Sequence, residues 1–526
     1  MADFRIAKRK CRPGITVEEA LDDDRNMIPA LSVLQHTTQF ENELWDRRSQ
    51  IEEVVSRHLG IPTSGFELTS PDEWLTGSFN LCIFIHSIKG PNLPGRAILR
   101  IPLPFNAGET FSLGSCEEKL RCEAATYIWL SRHCPAIPIP RLLGIGFPGT
   151  HSFSAITNET LWNRLVWQLR HGWAWLWGRA DTLAPFSIHH RHSLHDVGYL
   201  LIEYVEEGKM LSCSWKQHCQ DPIRRANLYH GLAKIMLSLG KVPLPRIGSW
   251  ILGHDATIRL TNRPFFDLTA LWNQHKIPAI VPRERTYTSA KAFVHDVLRY
   301  QDNRMRHQPN SILSEKDGIY QLAALVGLRD LLSLFYGSSS GTFVLNLVDM
   351  HQSNIFVDEN WNITRLIDFE FAPVCPIEMP WLSSMGVDQL EGSNRDEYKV
   401  LYDEFADIVE QEEEAGQMSN SYSQGLRESW ASGQFFFNLA LRSINAFPAI
   451  FEEHLQSRYF EKFDFDMDGL QWAERWDEGE DLMDFIARKN KDRERYEVQI
   501  REIFSAAKAA EGMKSTDDEL SSIGGI

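Results

Sequence analysis

The sequence predicts an α+β chain of two lobes, a small β-rich N-terminal lobe followed by a large, mostly helical one. Three observations carry this. Short apolar runs rich in β-branched residues, at 81–85, 96–102 and 199–205, fall in the first two hundred residues around one long helical pattern. From about 206 to 505 the periodicity is mostly helical. That stretch is interrupted at residue 349 by a polar loop and two short strands. At 526 residues, 43% hydrophobic and 24% charged, the chain can bury the cores of two such lobes.

Residues 1–28 are expected to be loosely ordered. A helix over 37–59, with Phe40, Leu44, Ile51, Val54, Val55 and Leu59 on one face, leads into a small lobe spanning 29–205. Gly77-Ser78-Phe79-Asn80 precedes the run Leu81–Ile85. It suits a strand–turn–strand loop whose N–H groups cover phosphates, and equally a plain structural turn. Arg96–Pro102 is a short strand carrying the cation Arg100. Glu117–Cys134 is helical, with Leu120, Ala124, Tyr127, Ile128 and Leu130 along one face, and ends at Pro135. Glu123 lies within it, either as a partner for Arg100 or as a residue of the solvated face. Tyr199–Val205 is a buried strand followed by Gly208. Glu203, Tyr204 and Val205 are the candidates to border a nucleotide base through backbone hydrogen bonds.

The small lobe carries an insertion at about 150–196. Leu161–Arg170 places apolar residues at helical spacing, and Trp173, Trp175 and Trp177 follow at period two. Arg164, Gln168 and Arg170 interrupt it, so it is not a transmembrane span. It suits a helix packed on the lobe, or an interfacial membrane anchor or partner-docking helix. His189-His190-Arg191-His192, with His195 and Asp196, fits a polar loop better than a metal site. The large lobe is expected over 206–508, with Ala226–Leu239 a helix stopped by Gly240. Asp403–Glu414 and Arg488–Arg501 form charged helices, and 509–526 is expected to be disordered.

The interruption in the large lobe is chemically informative. Asp349-Met350-His351-Gln352-Ser353-Asn354 is followed by the strand Ile355-Phe356-Val357, a turn at 358–360, and the strand Ile363–Ile367 ending in Asp368. A hairpin of this length brings Asn354 and Asp368 to one end of a sheet. Phosphoryl transfer passes through a loose transition state, so the protein mainly positions groups and balances charge. Asp349 is placed to take the proton of an attacking hydroxyl. Asn354 and Asp368 offer the hard oxygens that Mg2+ takes alongside phosphate and water.

The order of these parts resembles the aminoglycoside phosphotransferase family of kinase-like enzymes, and its fungal group most closely. The resemblance rests on Ile98–Pro102, Ile139–Gly144, Leu201–Val205, Leu244–Ser249, Pro282–Thr288 and the block Asp349–Glu370, and runs from about residue 70 to 400. It implies a bilobal protein-kinase-like fold that uses ATP and Mg2+ to phosphorylate a small hydroxylated substrate. Asp349 would be the catalytic base, Asn354 and Asp368 the metal ligands. Gly77, Ser78, Arg100, Glu123, Glu203, Tyr204 and Val205 would surround the nucleotide. Two positions depart from the pattern. Leu347 stands where many members carry His. Glu370 follows Asp368-Phe369 where protein kinases carry Gly, and brings an extra charge near the metals, as a ligand or as a repellent of phosphate. These departures favour the alternative, a kinase-fold binding or scaffold protein without turnover. A protein kinase is disfavoured because no Gly-x-Gly-x-x-Gly loop or Ala-Pro-Glu segment is present.

The formal net charge of −17 argues against nucleic acid as the main partner, since phosphate backbones need basic surface. The eight cysteines form no Cys-x-x-Cys pair, and several fall in apolar runs. Reduced thiols, and a charged start without an apolar leader segment, lead to the expectation of a cytoplasmic protein.

Overall fold

The β-branched runs of the first two hundred residues form one antiparallel sheet. The computed structural model describes residues 14–523 except 150, 179–181, 191–193, 195, 267–268, 270–272, 338–340, 380–394, 418–421 and 478, with side chains described through 509 except at 395. The strands are β1 (Glu67–Leu68), β2 (Leu75–Thr76), β3 (Asn80–His86), β4 (Ala97–Pro102), β5 (Leu142–Gly146), β6 (Ser152–Ala155), β7 (Phe186–His189) and β8 (Tyr199–Glu203). Neighbours follow the order β1-β3-β4-β8-β5-β6-β7, with β2 paired to β3. Alternation along β3 and β4 sends Leu81, Ile83, Ile85, Leu99 and Ile101 into one core.

That core is closed by two helices. The expected helix over 37–59 is divided at Arg47 into α3 (Val33–Asp46) and α4 (Arg48–Leu59). α4 contributes Ile51, Val54, Val55 and Leu59. It also buries His58, whose ring nitrogens bond Ser154 Oγ at 2.8 Å and the Tyr199 hydroxyl at 2.9 Å. Gly144 and Gly146 make this approach possible. A Cβ there would lie 2.4 Å from the His58 ring and 2.2 Å from the Tyr199 ring. On the other side of the sheet lies α5 (Ser115–His133), buried along most of its length.

The insertion is more than a helix. β6 and β7 extend the sheet beyond β5, and α6 (Leu161–Leu176) connects them. The strands are only four residues long, too short to stand out as periodic signals.

Residues 204–208 lead from β8 to the second lobe, where β9 (Lys209–Met210) pairs with β13 (Ile355–Val357), itself in a hairpin with β14 (Ile363–Leu366). β10 (Ser249–Leu252) pairs with β11 (Ile258–Asn262), and β12 (Phe343–Leu345) with β15 (Val374–Pro376). The principal helices are α7 (Pro222–Gly240), α8 (Ala290–His307), α9 (Glu315–Phe335), α10 (Arg395–Ala415), α11 (Tyr422–Ser432), α12 (Gln434–Arg442) and α13 (Leu482–Ile523). α9 alone among the described helices is long and apolar enough to cross a membrane, and its residues Leu322–Leu328 are buried in the lobe core. α10, strongly charged in sequence, turns Tyr402, Phe405 and Val409 inward. A sheet lobe joined by a short linker to a helical lobe that carries the 355–366 hairpin is the bilobal α+β kinase-like architecture.

Both chain ends differ from expectation. Residues 1–13 lie outside the described residues, but 14–28 are not loosely ordered. α1 (Val17–Asp22) starts with a capping box between Thr16 and Glu19, and α2 (Met27–Leu31) follows. Val17, Leu21, Met27 and Leu31 pack on Tyr496, Ile500 and Phe504 of α13. The break expected at 508 is absent, because Ala506-Ala507-Lys508-Ala509-Ala510-Glu511 are strong helix formers and α13 continues to Ile523.

Candidate active site

Arg100 stands on β4 opposite Cys82 of β3 and Leu200 of β8, and only 6% of it is exposed. A guanidinium this buried needs several acceptors. Its Nη1 donates to Glu123 Oε1 of α5, and its Nη2 to Asp368 Oδ1 and, at 3.0 Å, to Glu370 Oε2. The Arg100–Glu123 pair is the one the sequence proposed.

Two further members, Lys119 and Asn80, were not singled out, and Glu370 joins them. Lys119, one helical turn before Glu123 and 1% exposed, donates to Glu370 Oε2 at 2.5 Å and to Asn80 Oδ1 at 2.6 Å. Asn80 donates in turn to Glu370 Oε2 at 2.7 Å. Glu370 is therefore a counter-ion inside the small-lobe interface, held by two cations and an amide. Its carboxylate is thus engaged by these three partners and only 2% exposed. The available signal was the i,i+4 pair Lys119–Glu123, which is indistinguishable in sequence from a solvent-face pair.

The second half of the site comes from the hairpin. The register pairs Ile355 with Leu366, and the Ile367 N–H donates to the Asn354 carbonyl at 3.0 Å. This sets Asn354 beside the segment that carries Asp368. Asp368 itself has φ +68°, a left-handed conformation tolerated by Asp better than by most side chains. Next to it, Phe369 is buried with its ring edge-on to Tyr127 of α5 at 4.9 Å, so the segment is clamped to the same helix as the ion cluster.

The loop between Asp349 and Asn354 is held by its own backbone. The His351 N–H donates to the Asp349 carbonyl, and the Asn354 N–H to the His351 carbonyl, both at 2.8 Å. The Asn354 amide nitrogen donates to the Asp349 carbonyl at 2.9 Å and to Asp349 Oδ2 at 3.1 Å. This fixes the amide with its oxygen as the acceptor for a cation. Leu347 is buried in the core. Its segment is tied down by the Asn346 N–H to the Pro373 carbonyl at 2.9 Å and the Val348 N–H to the Phe371 carbonyl at 3.3 Å. Backbone pairing thus positions the segment that carries Leu347.

The remaining candidates are placed less directly. Gly77 and Ser78 are exposed at the turn between β2 and β3, and the Gly77 N–H is spent on the Asn80 carbonyl at 2.8 Å. The turn's observed contribution is to aim Asn80 into the ion cluster. The Glu203 and Tyr204 N–H groups donate to the Arg141 and Arg96 carbonyls at 2.9 and 3.2 Å. The Glu203 carboxylate pairs with Arg141, and the Tyr204 ring lies under the Arg96 guanidinium at 4.0 Å. Those two residues tie the linker to the sheet, and Val205 begins the free-running part. In the insertion, His189 pairs with Glu159 at 2.8 Å. No group of three or more His, Cys, Asp or Glu is arranged to hold a metal among the described residues.

Two cations face three carboxylates in the cluster, and burial decides their charge. Burial pushes Glu123 up to about 7 despite Arg100 and Lys119. It also raises Asp368, against the pull of Arg100. Glu370 goes the other way, since Lys119 and then Arg100 outweigh its burial and hold it below the usual carboxylate value. A proton on Glu123 leaves the cluster neutral. Asp368, a quarter exposed, is the most solvent-accessible of the five side chains. Asn354 and Asp368 together fit a hard divalent cation that takes few protein oxygens and fills its shell with phosphate and water.

No protein-family model and no curated protein matches the chain. Among solved structures it is similar to aminoglycoside phosphotransferase APH(4)-Ia in ternary complex with AMP-PNP and hygromycin B (12% identity, 84% of this chain and 98% of that one, TM-score 0.35). It is also similar to an ethanolamine kinase of Plasmodium vivax (13% identity, 81% and 82%, TM-score 0.35) and to macrolide 2'-phosphotransferase type I (12% identity, 77% and 96%, TM-score 0.33). At these scores the architecture rests on the strand order and lobes described above.

Proposed function

We propose that this chain is a phosphotransferase that moves the terminal phosphoryl group of a nucleoside triphosphate, ATP in the simplest case, to a hydroxyl of a small molecule. The observation that carries the reading is the bridge made by Arg100 between Glu123 of α5 and Asp368 after β14, with Asn354 and Asp349 adjoining. Contact between a strand cation, a helix carboxylate and a carboxylate of the metal-ligand type, with the Asn354 amide bonded to Asp349, supports a phosphoryl-transfer reading.

The chain's own groups have distinct tasks. Glu123 and Glu370 hold the Arg100 guanidinium, whose Nη2 would turn from Asp368 to phosphate oxygens. Asn354, through its amide nitrogen, orients Asp349. As the substrate oxygen bonds to phosphorus and the bond to the departing diphosphate breaks, Asp349 takes the hydroxyl proton. Asn354 and Asp368 would hold Mg2+, which supplies positive charge to the phosphates when bound.

The test is phosphate transfer from ATP with Mg2+ across a panel of hydroxylated metabolites, comparing the parent with Asp349→Asn. The substitution should lower kcat by about 10²–10⁴-fold while nucleotide affinity is kept. Parent-level turnover in Asp349→Asn would remove Asp349 from its role. A second reading, a nucleotide-binding or scaffold protein without turnover, is favoured by the Arg100–Asp368 ion pair, which engages the candidate metal ligand. It predicts no phosphate transfer to any acceptor, with or without a thermal shift on ATP and Mg2+.

A further inference from the structure

The inserted helix α6 turns its apolar face away from the protein. Leu161, Trp162, Leu165, Leu169, Trp173 and Leu176 lie on one side of the helix by their spacing, at exposures from 46% to 83%. Val166 and Trp177 widen the same side. The opposite side is pinned down. The Trp167 indole N–H donates to the Ala184 carbonyl at 2.9 Å, Asn163 donates to Glu159 at 2.6 Å, and both are half-buried with His171 and Ala174. The helix is thus fixed by polar anchors with its apolar side outward, which leaves a patch far larger than isolated surface leucines produce.

The charge around this patch indicates its occupant. The chain carries −17, yet no Asp or Glu falls between Thr160 and Ala180. Arg164 and Arg170, both exposed, border the apolar side and donate to the backbone carbonyls of Thr157 and Asp255, which leaves their charge uncompensated. Among the described residues nearby, Glu159 is paired with His189 and Asp255 with Arg259. The patch therefore offers guanidinium and indole N–H donors around hydrocarbon. A second copy would bring the same positive rim against itself in a two-fold contact. A bilayer surface brings acyl chains for the apolar side and phosphate and carboxylate acceptors for the rim.

We propose that α6 is an interfacial helix that lays the small lobe on a membrane surface bearing anionic headgroups. It is about 24 Å long and lies in the plane of the interface rather than across it. Flotation of the full chain with vesicles of phosphatidylcholine, with and without phosphatidylserine, tests this. Binding should occur to the phosphatidylserine vesicles and weaken with salt. Leu169→Glu with Trp173→Glu should weaken it at least about tenfold. Arg164→Gln with Arg170→Gln should weaken it about tenfold or more at low salt. All four side chains are exposed, so the thermal unfolding of both variants should match the parent. Failure to float with either vesicle overturns the proposal, as does equal flotation of the Glu variant. A dimer in sedimentation that the Glu variant abolishes would assign the face to self-association instead.

Discussion

Replacing Lys119 with Met tests whether the buried cluster is balanced as described, independently of any activity. Lys119 is 1% exposed and Glu370 2%, and the two are 2.5 Å apart. Met keeps most of the volume and removes the charge and its donors to Glu370 and Asn80. The cluster then holds one cation against three carboxylates. Breaking a buried pair by deleting one partner costs about 3–5 kcal/mol. For a lobe of this size that lowers the apparent melting temperature by roughly 6–20 °C. Differential scanning calorimetry of the parent and variant measures it. Lys316→Met is the control, since its pair with Asp466 is fully exposed and should leave the melting temperature unchanged. Adding Glu370→Gln to Lys119→Met removes the orphaned charge and should recover most of the loss. The reasoning fails if Lys119→Met behaves like the control, or if the double variant melts below the single one.

Other consequences are equally concrete. Asp368→Ala should abolish Mg2+-dependent strengthening of nucleotide binding, read by titration calorimetry with ATP in Mg2+ and in chelator; an unchanged metal dependence counts against Asp368 as ligand. Glu123, raised to about 7 from an ordinary 4.5, binds its proton more tightly folded than unfolded. Its contribution is therefore fully present below about 4.5 and is lost as pH rises to about 7, and Glu123→Gln should flatten that descent in denaturant titrations. Tyr496→Phe leaves the buried Met27 N–H without its acceptor at 3.1 Å, and should cost about 1–3 kcal/mol and increase proteolysis of the segment holding α1 and α2.

The sequence disclosed those parts of the site whose chemistry is local. Asp349, Asn354 and Asp368 lie within twenty residues, and their hairpin spacing alone predicts that two of them share one end of a sheet. Arg100 and Glu123 were legible from the order of parts, a strand cation followed by a helix carboxylate, since alone each reads equally as a solvent-facing residue. Lys119 was not, because a Lys four residues before a Glu ordinarily marks a solvated face, and only the packing of α5 against the sheet shows both to be buried. The Glu203 and Tyr204 backbone was expected to be open to a base. Its two N–H groups are used in contacts with the 141 and 96 carbonyls, which no local pattern encodes. β6, β7 and α1 are too short to give a period, and their existence depends on what they pack against.

The two departures from the family pattern turn out to differ in kind. Leu347 stands in the core, and its segment is held by backbone bonds to 371 and 373. Glu370 adds a charge, and that charge is answered only because α5 supplies Lys119 and β3 supplies Asn80. Without Lys119, Arg100 would be the one cation of the cluster facing Glu123, Asp368 and Glu370. With Lys119 taking Glu370, Arg100 keeps Glu123 on one nitrogen and shares the other between the cleft and the core. A single lysine ammonium in place of Arg100 has no second nitrogen with which to make that division. The strand cation, the helix lysine and the residue after Phe369 therefore form one charge-balancing unit, in which each accounts for the identity of the other two.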